Sequence, residues 1–322
     1  MKAESKIGPM TSLLNFQMVE LQKQLGQSLL GCEDIIELSL ASLLSSSHVL
    51  LEGAPGVGKT SLAKKMASML GGTFSRVQMT SDMLPSDIVG VLRPNMKSLE
   101  LEFREGPIFA NFVLADEVNR CSPRTQSALL EAMAEGQVSV DSITRKLPQP
   151  FFVFATQNPE ESLGVYPLSE SQLDRFALHL LMKLPSEKQE LELLKRESQN
   201  GGSAQEFSKD VLSLEFLKSC QLEVTKVYVE ESLLNFMNET LQAFRKHQEV
   251  GGGVSVRAGI QWVRLAKALA WIRNRDFVKL EDLRDLVAPL LAHRIVFRNS
   301  TDSIEEKRRF VVETFEKSKM PF

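Results

Sequence analysis

Five short apolar runs recur along the first half of the chain and alternate with segments of helical spacing. The runs are HVLLE (48–52), FSRVQM (74–79), NFVLAD (111–116), FFVFAT (151–156) and ALHLLMKL (177–184). The third and fourth are apolar at nearly every position, which is typical of strands that are covered on both faces. Because strands and helices alternate, the pattern predicts an α/β fold with a five-stranded parallel sheet between helices.

Helical spacing dominates the rest of the chain. Residues 15–25 (NFQMVELQKQL) and 32–44 (CEDIIELSLASLL) carry apolar residues three and four positions apart, which predicts two helices ahead of the first strand. After Pro185 only helical periodicity is found. We therefore predict two domains, an α/β core over residues 1–185 and a smaller all-α domain over residues 186–322.

Composition and charge narrow the possible functions. The chain has 38 Lys and Arg against 41 Asp and Glu, a net charge of −3, so no basic bias points to nucleic acid. No apolar run approaches the ~20 residues of a membrane helix, and the N-terminus lacks the apolar core of a signal peptide. The three cysteines, Cys32, Cys121 and Cys220, form neither a metal-binding spacing nor a disulfide framework. We therefore expect a cytoplasmic protein without a membrane span.

The turn after the first predicted strand carries the strongest chemical signal. Its sequence, GAPGVGKT (53–60), fits G-x-x-x-x-G-K-[ST], the phosphate-binding P-loop, with a strand before it and a helix after it. Glycines let backbone N–H groups converge on phosphate oxygens, and the positive end of the following helix points to the same place. Lys59 would contact the β- and γ-phosphates, and the Thr60 hydroxyl would be a Mg²⁺ ligand. The predicted nucleotide-binding residues of this turn are Gly53, Ala54, Pro55, Gly56, Val57, Gly58, Lys59, Thr60 and Ser61.

Paired carboxylates end the third predicted strand, FVLADE (112–117). Asp116 would emerge at the carboxyl end of the strand and hold the Mg²⁺ shell beside Thr60. Glu117 would then polarise an attacking water, and a second acid suits hydrolysis better than transfer to a bound acceptor. A solvated acidic turn would look the same in isolation. The order of the two motifs in one predicted sheet favours an ATPase.

Three further polar residues are candidates that spacing alone does not select. Asn158 ends the fourth predicted strand and could orient water, although Asn-Pro turns are common. Arg175 precedes the fifth strand and Arg257 begins a predicted helix of the second domain. Arginine stabilises developing phosphoryl charge, but most arginines form surface ion pairs instead.

Together these motifs resemble the MoxR family of AAA+ ATPases. The resemblance extends from about residue 16 to about residue 298, and its most specific segments are residues 103–140 and 147–176. The first reads FREGPIFANFVLADEVNRCSPRTQSALLEAMAEGQVSV, and the second reads LPQPFFVFATQNPEESLGVYPLSESQLDRF. One departure is Cys-Ser-Pro at 121–123, where family members often have a Pro- or Ala-rich turn, and no departure falls on a motif residue.

The resemblance implies an AAA+ core with a lid domain, and it implies residue roles. Lys59 and Thr60 would be Walker A, Asp116 and Glu117 Walker B, Asn158 sensor 1, Arg175 an arginine finger acting in trans, and Arg257 sensor 2. It also implies a homo-oligomeric ring, typically of six subunits, with ATP and Mg²⁺ at the interfaces. Residues 79–105 and 136–147 would be the helix-2 insert and the pre-sensor-1 hairpin, which face the pore or a partner.

The implied function is chaperone-like remodelling, assembly or activation of partner proteins, often with a partner that carries a von Willebrand factor A domain. Nothing in the sequence identifies the client. One alternative is a nucleic-acid motor, since MCM helicases and magnesium chelatase subunits share the hairpin and the insert. Against it, the hairpin carries only Arg145 and Lys146 as candidate contacts to a nucleic-acid backbone. The other alternative is a nucleotide-gated scaffold with little turnover, against which Glu117 and Arg175 argue.

Overall fold

Secondary-structure elements cover most of the described chain. The computed structural model describes residues 9–94, 100–158, 164–200, 212–298 and 303–318. The helices are α1 (Pro9–Ser28), α2 (Glu33–Leu44), α3 (Lys59–Met69), α4 (Pro85–Val89), α5 (Pro123–Glu135), α6 (Glu170–Leu173), α7 (Glu187–Asn200), α8 (Leu214–Thr225), α9 (Glu231–Lys246), α10 (Val256–Ile272), α11 (Leu280–Leu291) and α12 (Ile304–Lys317). The strands are β1 (Val49–Glu52), β2 (Phe74–Gln78), β3 (Gly90–Pro94), β4 (Leu101–Glu105), β5 (Phe112–Asp116), β6 (Gln137–Val140), β7 (Ile143–Lys146), β8 (Phe152–Gln157), β9 (Leu178–Leu181), β10 (Val250–Gly252) and β11 (Val296–Phe297).

The central sheet has five parallel strands in the order β2-β5-β8-β1-β9. β5 is buried at every position and β8 at every position but the last, which explains their uniformly apolar sequences. The five predicted strands and their parallel pairing are therefore confirmed. Because β8 separates β1 from β5, the segments that follow these three strands meet at one edge of the sheet.

Side chains alternate between the two faces of the sheet and enter two apolar clusters. Leu114 and Phe154 join a cluster that contains α1, α2 and α3, whereas Val113 and Val153 join a cluster built with α5. The first cluster continues into the C-terminal helices and includes Trp262 of α10. Both α1 and α2 contact α10, so the N-terminal helices pack against the core and the C-terminal region alike. The division at residue 185 therefore stays a prediction.

The C-terminal region is a helical lid, α8–α12, with one small addition. α11 packs between α10 and α12 and also contacts β9 of the sheet. The expectation of helices alone is wrong in one detail, because β10 and β11 form an antiparallel pair. These strands are only three and two residues long, which is too short for an alternating pattern to be recognised. None of the described helices is long and apolar enough to cross a membrane.

Two antiparallel pairs form small sheets apart from the central one. β6 and β7 form the predicted hairpin, and β3 and β4 form a pair inside the predicted insert that the sequence pattern did not predict. We call these four strands the hairpin face. Within it, the Arg145 guanidinium lies 3.9 Å from the ring centroid of Phe103, so the hairpin and the insert contact each other. Residues 95–99 of the insert lie outside the described residues.

Candidate nucleotide-binding site

The P-loop connects β1 to α3. Gly58 is the N-cap of α3 with φ 101°, and Gly56 has φ 84°, both in the left-handed region that favours glycine. A Cβ added at Gly56 would meet no atom within 4 Å, so the loop borders open space rather than packed side chains. The Lys59 ammonium donates to the carbonyl oxygen of Gly53 and, at 3.1 Å, to that of Ala54. A helix N-terminus, glycines and a lysine thus lie together beside open space, as a phosphate-binding loop requires.

The P-loop lysine and the carboxylates that follow β5 belong to one electrostatic site. Burial lowers the pKa of Lys59, and the negative charges of Asp116, Glu117 and Glu52 oppose that shift. These charges come from the ends of β1 and β5, which the strand order brings to the same edge of the sheet. The motif residues that the sequence singled out on these two strands are therefore brought together.

Asp116 is oriented by the strands on either side of β5. Its side chain is 8% exposed, and Oδ2 accepts a hydrogen bond from Nε of Arg76 on β2 at 2.7 Å. Its Oδ1 accepts from the hydroxyl of Thr156 on β8 at 3.0 Å. The Arg76 side chain is 51% exposed, so its positively charged guanidinium lies on the solvent side of the carboxylate. A carboxylate that is fixed in this way can serve as a ligand of a cation such as Mg²⁺.

Glu117 directly follows β5 in an unusual backbone conformation. Its φ of 58° lies in the left-handed region, which few non-glycine residues adopt and which is enriched at functional sites. The carboxylate accepts from Nε2 of Gln78 at 2.8 Å and from Nε of Arg120 at 2.9 Å. Its backbone N–H donates to the Thr156 hydroxyl at 2.9 Å. Glu117 is thus held beside Asp116 with its side chain 30% exposed.

The residues that hold these carboxylates were missed from the sequence. Gln78 lies directly opposite Asp116 in the β2–β5 pairing, and Thr156 contacts both Asp116 and the Glu117 backbone. The only signal was position: each of these residues lies near the carboxyl end of a predicted strand. That signal is usable once the strand order is known, because neighbouring strand ends then share an edge.

The other three predicted site residues follow β8, precede β9 and begin α10. Asn158 follows β8, the strand between β1 and β5, and is buried. Arg175 is half-buried, and its Nη1 donates to the carbonyl oxygen of Leu130 in α5 at 2.9 Å. Arg257 is exposed at the second position of α10. Within the described parts of the chain, no hydrogen bond or ion pair joins Arg175 or Arg257 to the P-loop.

A set of hydrogen-bonded polar side chains lies directly before the P-loop, and the sequence analysis did not predict it. Glu52, the last residue of β1, accepts from Nε2 of His179 at 2.9 Å and from Nε2 of Gln157 at 2.7 Å. Arg308 of α12 donates to the His179 carbonyl oxygen at 2.5 Å. Burial raises the pKa of Glu52, but the hydrogen bonds and the charges of His179 and Arg308 outweigh it, so the pKa lies below its usual range.

The cysteines take no part in the site. All three are free thiols and buried. Burial raises the pKa of Cys121 to about 11 and that of Cys220 to about 12, so both remain protonated and unreactive at neutral pH. The Cys121 thiol donates to the carbonyl oxygen of Val118, as a small residue packed in a turn does.

The fold and the site define a P-loop nucleotide-binding core followed by a helical lid, and comparisons with known proteins identify the family. The model of the ATPase family associated with various cellular activities (AAA) matches residues 48–178, and the AAA lid domain matches residues 242–313. A solved structure of a candidate ATPase from Cytophaga hutchinsonii superposes with a TM-score of 0.83 at 33% identity, covering 94% of this chain and 96% of that one.

Similar relatives are found among bacterial proteins. Chaperone MoxR1 of Mycobacterium tuberculosis is 39% identical over 277 residues, covering 83% of this chain and 72% of that protein. The protein MoxR of Paracoccus denitrificans is 30% identical, covering 83% of this chain and 84% of that protein. The protein YeaC of Bacillus subtilis is 45% identical, covering 85% of each. The chain belongs to the MoxR family of AAA+ ATPases, and its predicted AAA+ core with a helical lid is confirmed.

Proposed function

We propose that this chain is a Mg²⁺-dependent ATPase that works at the subunit interfaces of a cytoplasmic homo-oligomeric ring, a hexamer, and remodels, assembles or activates partner proteins. Membership of a chaperone-like ATPase family supports the general activity. The observation that carries the proposal is the convergence of Lys59, Asp116 and Glu117 at one edge of the sheet. A phosphate-binding cation, a metal ligand and a second acid are the groups that nucleotide hydrolysis needs.

The P-loop would bind the triphosphate. Backbone N–H groups of residues 53–58 and the N-terminus of α3 would bind phosphate oxygens, and Lys59 would exchange its loop carbonyl contacts for the β- and γ-phosphates. The Thr60 hydroxyl and Asp116 would hold Mg²⁺, partly through water, with Ser61 beside them in the first turn of α3. Bound ATP and Mg²⁺ supply the phosphoryl group and the positive charge that polarises it.

Glu117 would orient the attacking water and accept its proton, with Asn158 as a second group that orients water. Gln78 and Arg120 hold the Glu117 carboxylate in place, which keeps a flexible side chain in one position before reaction. Arg76 and Thr156 do the same for Asp116. The acid that acts on water and the acid that binds the metal are thus positioned by separate partners.

Arg175 and Arg257 would stabilise phosphoryl charge from outside the P-loop. Arg175 contacts α5 rather than its own P-loop, which fits an arginine that completes the site of a neighbouring subunit. Arg257 begins α10 and would reach the nucleotide of its own subunit from the lid. The hairpin face would then contact a partner, for which a protein with a von Willebrand factor A domain is the candidate.

The nucleic-acid motor is the weaker alternative. The Arg145 guanidinium stacks on Phe103 and donates to the carbonyl oxygens of Val140 and Ile143, so contacts within the hairpin face already engage it. On the hairpin this leaves Lys146, and the exposed Arg93 and Arg104 of β3 and β4 lie among Glu102 and Glu105, so with a net charge of −3 the attraction for a polyanion is small. We expect neither single- nor double-stranded DNA to stimulate hydrolysis.

The substitution Glu117→Gln tests the proposal. We expect ATP binding to persist while kcat falls by about 10²–10⁴-fold, the usual contribution of a general base. Glu131→Gln, at an exposed glutamate of α5, is the matched control and should leave kcat unchanged. Unchanged hydrolysis by Glu117→Gln would refute the role of Glu117.

The same variant can also be used to find the partner protein. Because it would bind ATP without hydrolysing it, proteins that bind the ATP state would stay attached when the variant is recovered from native cell extract, and they could then be identified.

A further inference from the structure

Asp174, the residue before Arg175, is bound by the lid. It lies in the turn between α6 and β9, and its Oδ1 is 3.1 Å from Nε of Arg294, which follows α11. The same Oδ1 accepts a hydrogen bond from the Ser255 hydroxyl at 2.8 Å. The Arg294 side chain is fully buried and that of Asp174 is 21% exposed. We call Asp174, Ser255 and Arg294 the latch.

Arg294 holds both neighbours of Arg175 in the chain. Besides its ion pair with Asp174, its Nη2 donates to the carbonyl oxygen of Phe176 at 2.6 Å. Its Nη1 donates to the Leu290 carbonyl oxygen at 2.7 Å, which fixes the guanidinium to α11. Burial lowers the pKa of Arg294 to about 10 while the charge of Asp174 opposes the shift, so the guanidinium remains charged at neutral pH. The backbone on either side of Arg175 is thus attached to the lid.

The opposite side of the latch is the start of α10, where Arg257 lies. Ser255 is the N-cap of α10 and accepts from the backbone N–H of Ala258 at 3.1 Å, so one hydroxyl binds both the helix and Asp174. Gly253 has φ 100°, and a Cβ there would lie 1.5 Å from the Arg294 carbonyl oxygen. Because only glycine permits this approach, the segment that leads into α10 is packed directly on the Arg294 backbone.

Arg175 itself is attached to the core rather than to the lid. Its guanidinium donates to the Leu130 carbonyl oxygen of α5, while the residues before and after it are bound by Arg294. A change in the angle of the lid would therefore move the backbone of residues 174–176 relative to α5. Such a movement changes the position of the Arg175 guanidinium relative to the neighbouring nucleotide. A displacement of about 1 Å at a catalytic group can lower the rate ~10²-fold.

We propose that Asp174 is a positioning residue for Arg175, and that the latch makes the placement of Arg175 follow the lid of its own subunit. Arg257 of the lid would contact the nucleotide of its own subunit, and Arg175 would contact the nucleotide of the next subunit. Through the latch, one chain thus links two neighbouring nucleotide sites. This inference rests on the proposed action of Arg175 in trans.

Mixed rings test the inference with Asp174→Asn, which removes the charge but keeps the size and a hydrogen-bond acceptor. Alone, this variant should lose about tenfold or more in kcat while its affinity for ATP changes little. Mixing it with Lys59→Ala subunits should restore hydrolysis. At the mixed interfaces the Asp174→Asn subunit keeps an intact P-loop, and its Lys59→Ala neighbour supplies a correctly placed Arg175. Mixing it with Arg175→Ala subunits should not restore hydrolysis, because Arg175 is misplaced in one variant and absent from the other.

Two serine variants separate positioning from helix capping. Ser255→Ala removes an N-cap and the contact to Asp174, whereas Ser213→Ala removes only the cap of α8, where Ser213 accepts from the Phe216 N–H at 3.1 Å. Each lost cap costs about 1 kcal/mol of stability. Only Ser255→Ala should reproduce the kinetic defect and the rescue of Asp174→Asn, while Ser213→Ala should retain full hydrolysis.

The outcomes distinguish the inference from the proposed function. If Arg175→Ala is not rescued by Lys59→Ala subunits, action in trans is refuted, and the inference is refuted with it. If Arg175→Ala is rescued but Asp174→Asn is not, the function stands and the positioning role of Asp174 is wrong. Full activity of Asp174→Asn would equally overturn the inference.

Discussion

The core–lid junction and the hairpin face hold their charged side chains in opposite ways. At the junction Arg294 is 1% exposed and ion-paired to Asp174, and Glu52 is paired to a His179 that is 2% exposed. On the hairpin face Arg145 lies over an aromatic ring, and nearby apolar side chains are in solvent, with Leu101 65% and Ile143 54% exposed.

This difference determines how far a local change is transmitted. A buried ion pair resists separation, because either partner left alone keeps a desolvated charge, and its two elements therefore move together. Surface contacts are individually weak and leave their strands free to adapt. The junction is thus suited to transmit a movement between lid and core. The exposed apolar residues of the hairpin face suit contact with another molecule.

The largest contrast between the two regions is expected from substituting one arginine in each. Arg294→Met should lower the free energy of unfolding by about 3 kcal/mol, because Asp174 loses its ion pair in a largely buried position. Arg145→Met, the matched change on the hairpin face, should cost only about 1 kcal/mol, because it removes a half-buried cation–π contact and two long hydrogen bonds whose acceptors can bind water instead. Urea unfolding of the two variants measures both. Equal losses would remove the distinction between the regions.

A smaller contrast is expected in the response to acid. The pKa of Glu52 is held below its usual range, so its pairing stabilises the fold at pH values above the pKa of the unfolded chain, ~4.3. That stabilisation is lost as the pH falls through the lower, folded-state pKa. The difference in melting temperature between the wild type and Glu52→Gln should therefore shrink between about pH 6 and pH 3.

Glu105→Gln, at an exposed carboxylate of the hairpin face, provides the control for this acid response. Its melting temperature should follow that of the wild type across the same pH range, because the side chain is solvated in both states. A Glu52→Gln difference that stays constant with pH would contradict the pairing with His179 as its source.

The sheet and the P-loop could be predicted from the sequence because their signals are local. A strand covered on both faces must be apolar throughout, as β5 and β8 are, and a phosphate-binding turn must combine glycines with a lysine at fixed spacing. The positions of Asp116 and Glu117 at one strand end follow from the same local pattern. The hairpin of β6 and β7 was predictable for the same reason.

The partners of these residues could not be predicted, because they come from distant parts of the chain. Arg76 and Thr156 each meet Asp116 across 40 residues, and the link from Asp174 to Arg294 spans 120 residues. An arginine that will be buried has the same sequence signature as one on the surface. Only the strand order and the lid packing distinguish them.

The affinity for ATP of Lys59→Met tests most directly whether the P-loop binds the triphosphate. Lys64→Met, at an exposed lysine on the same helix, is the control that removes the same charge elsewhere on α3. With fluorescent ATP and Mg²⁺ in equilibrium titrations, we expect Lys59→Met to weaken binding by about 10²-fold, the loss of one charge-assisted contact, while Lys64→Met binds like the wild type. Equal affinities for the wild type and both variants would contradict the account.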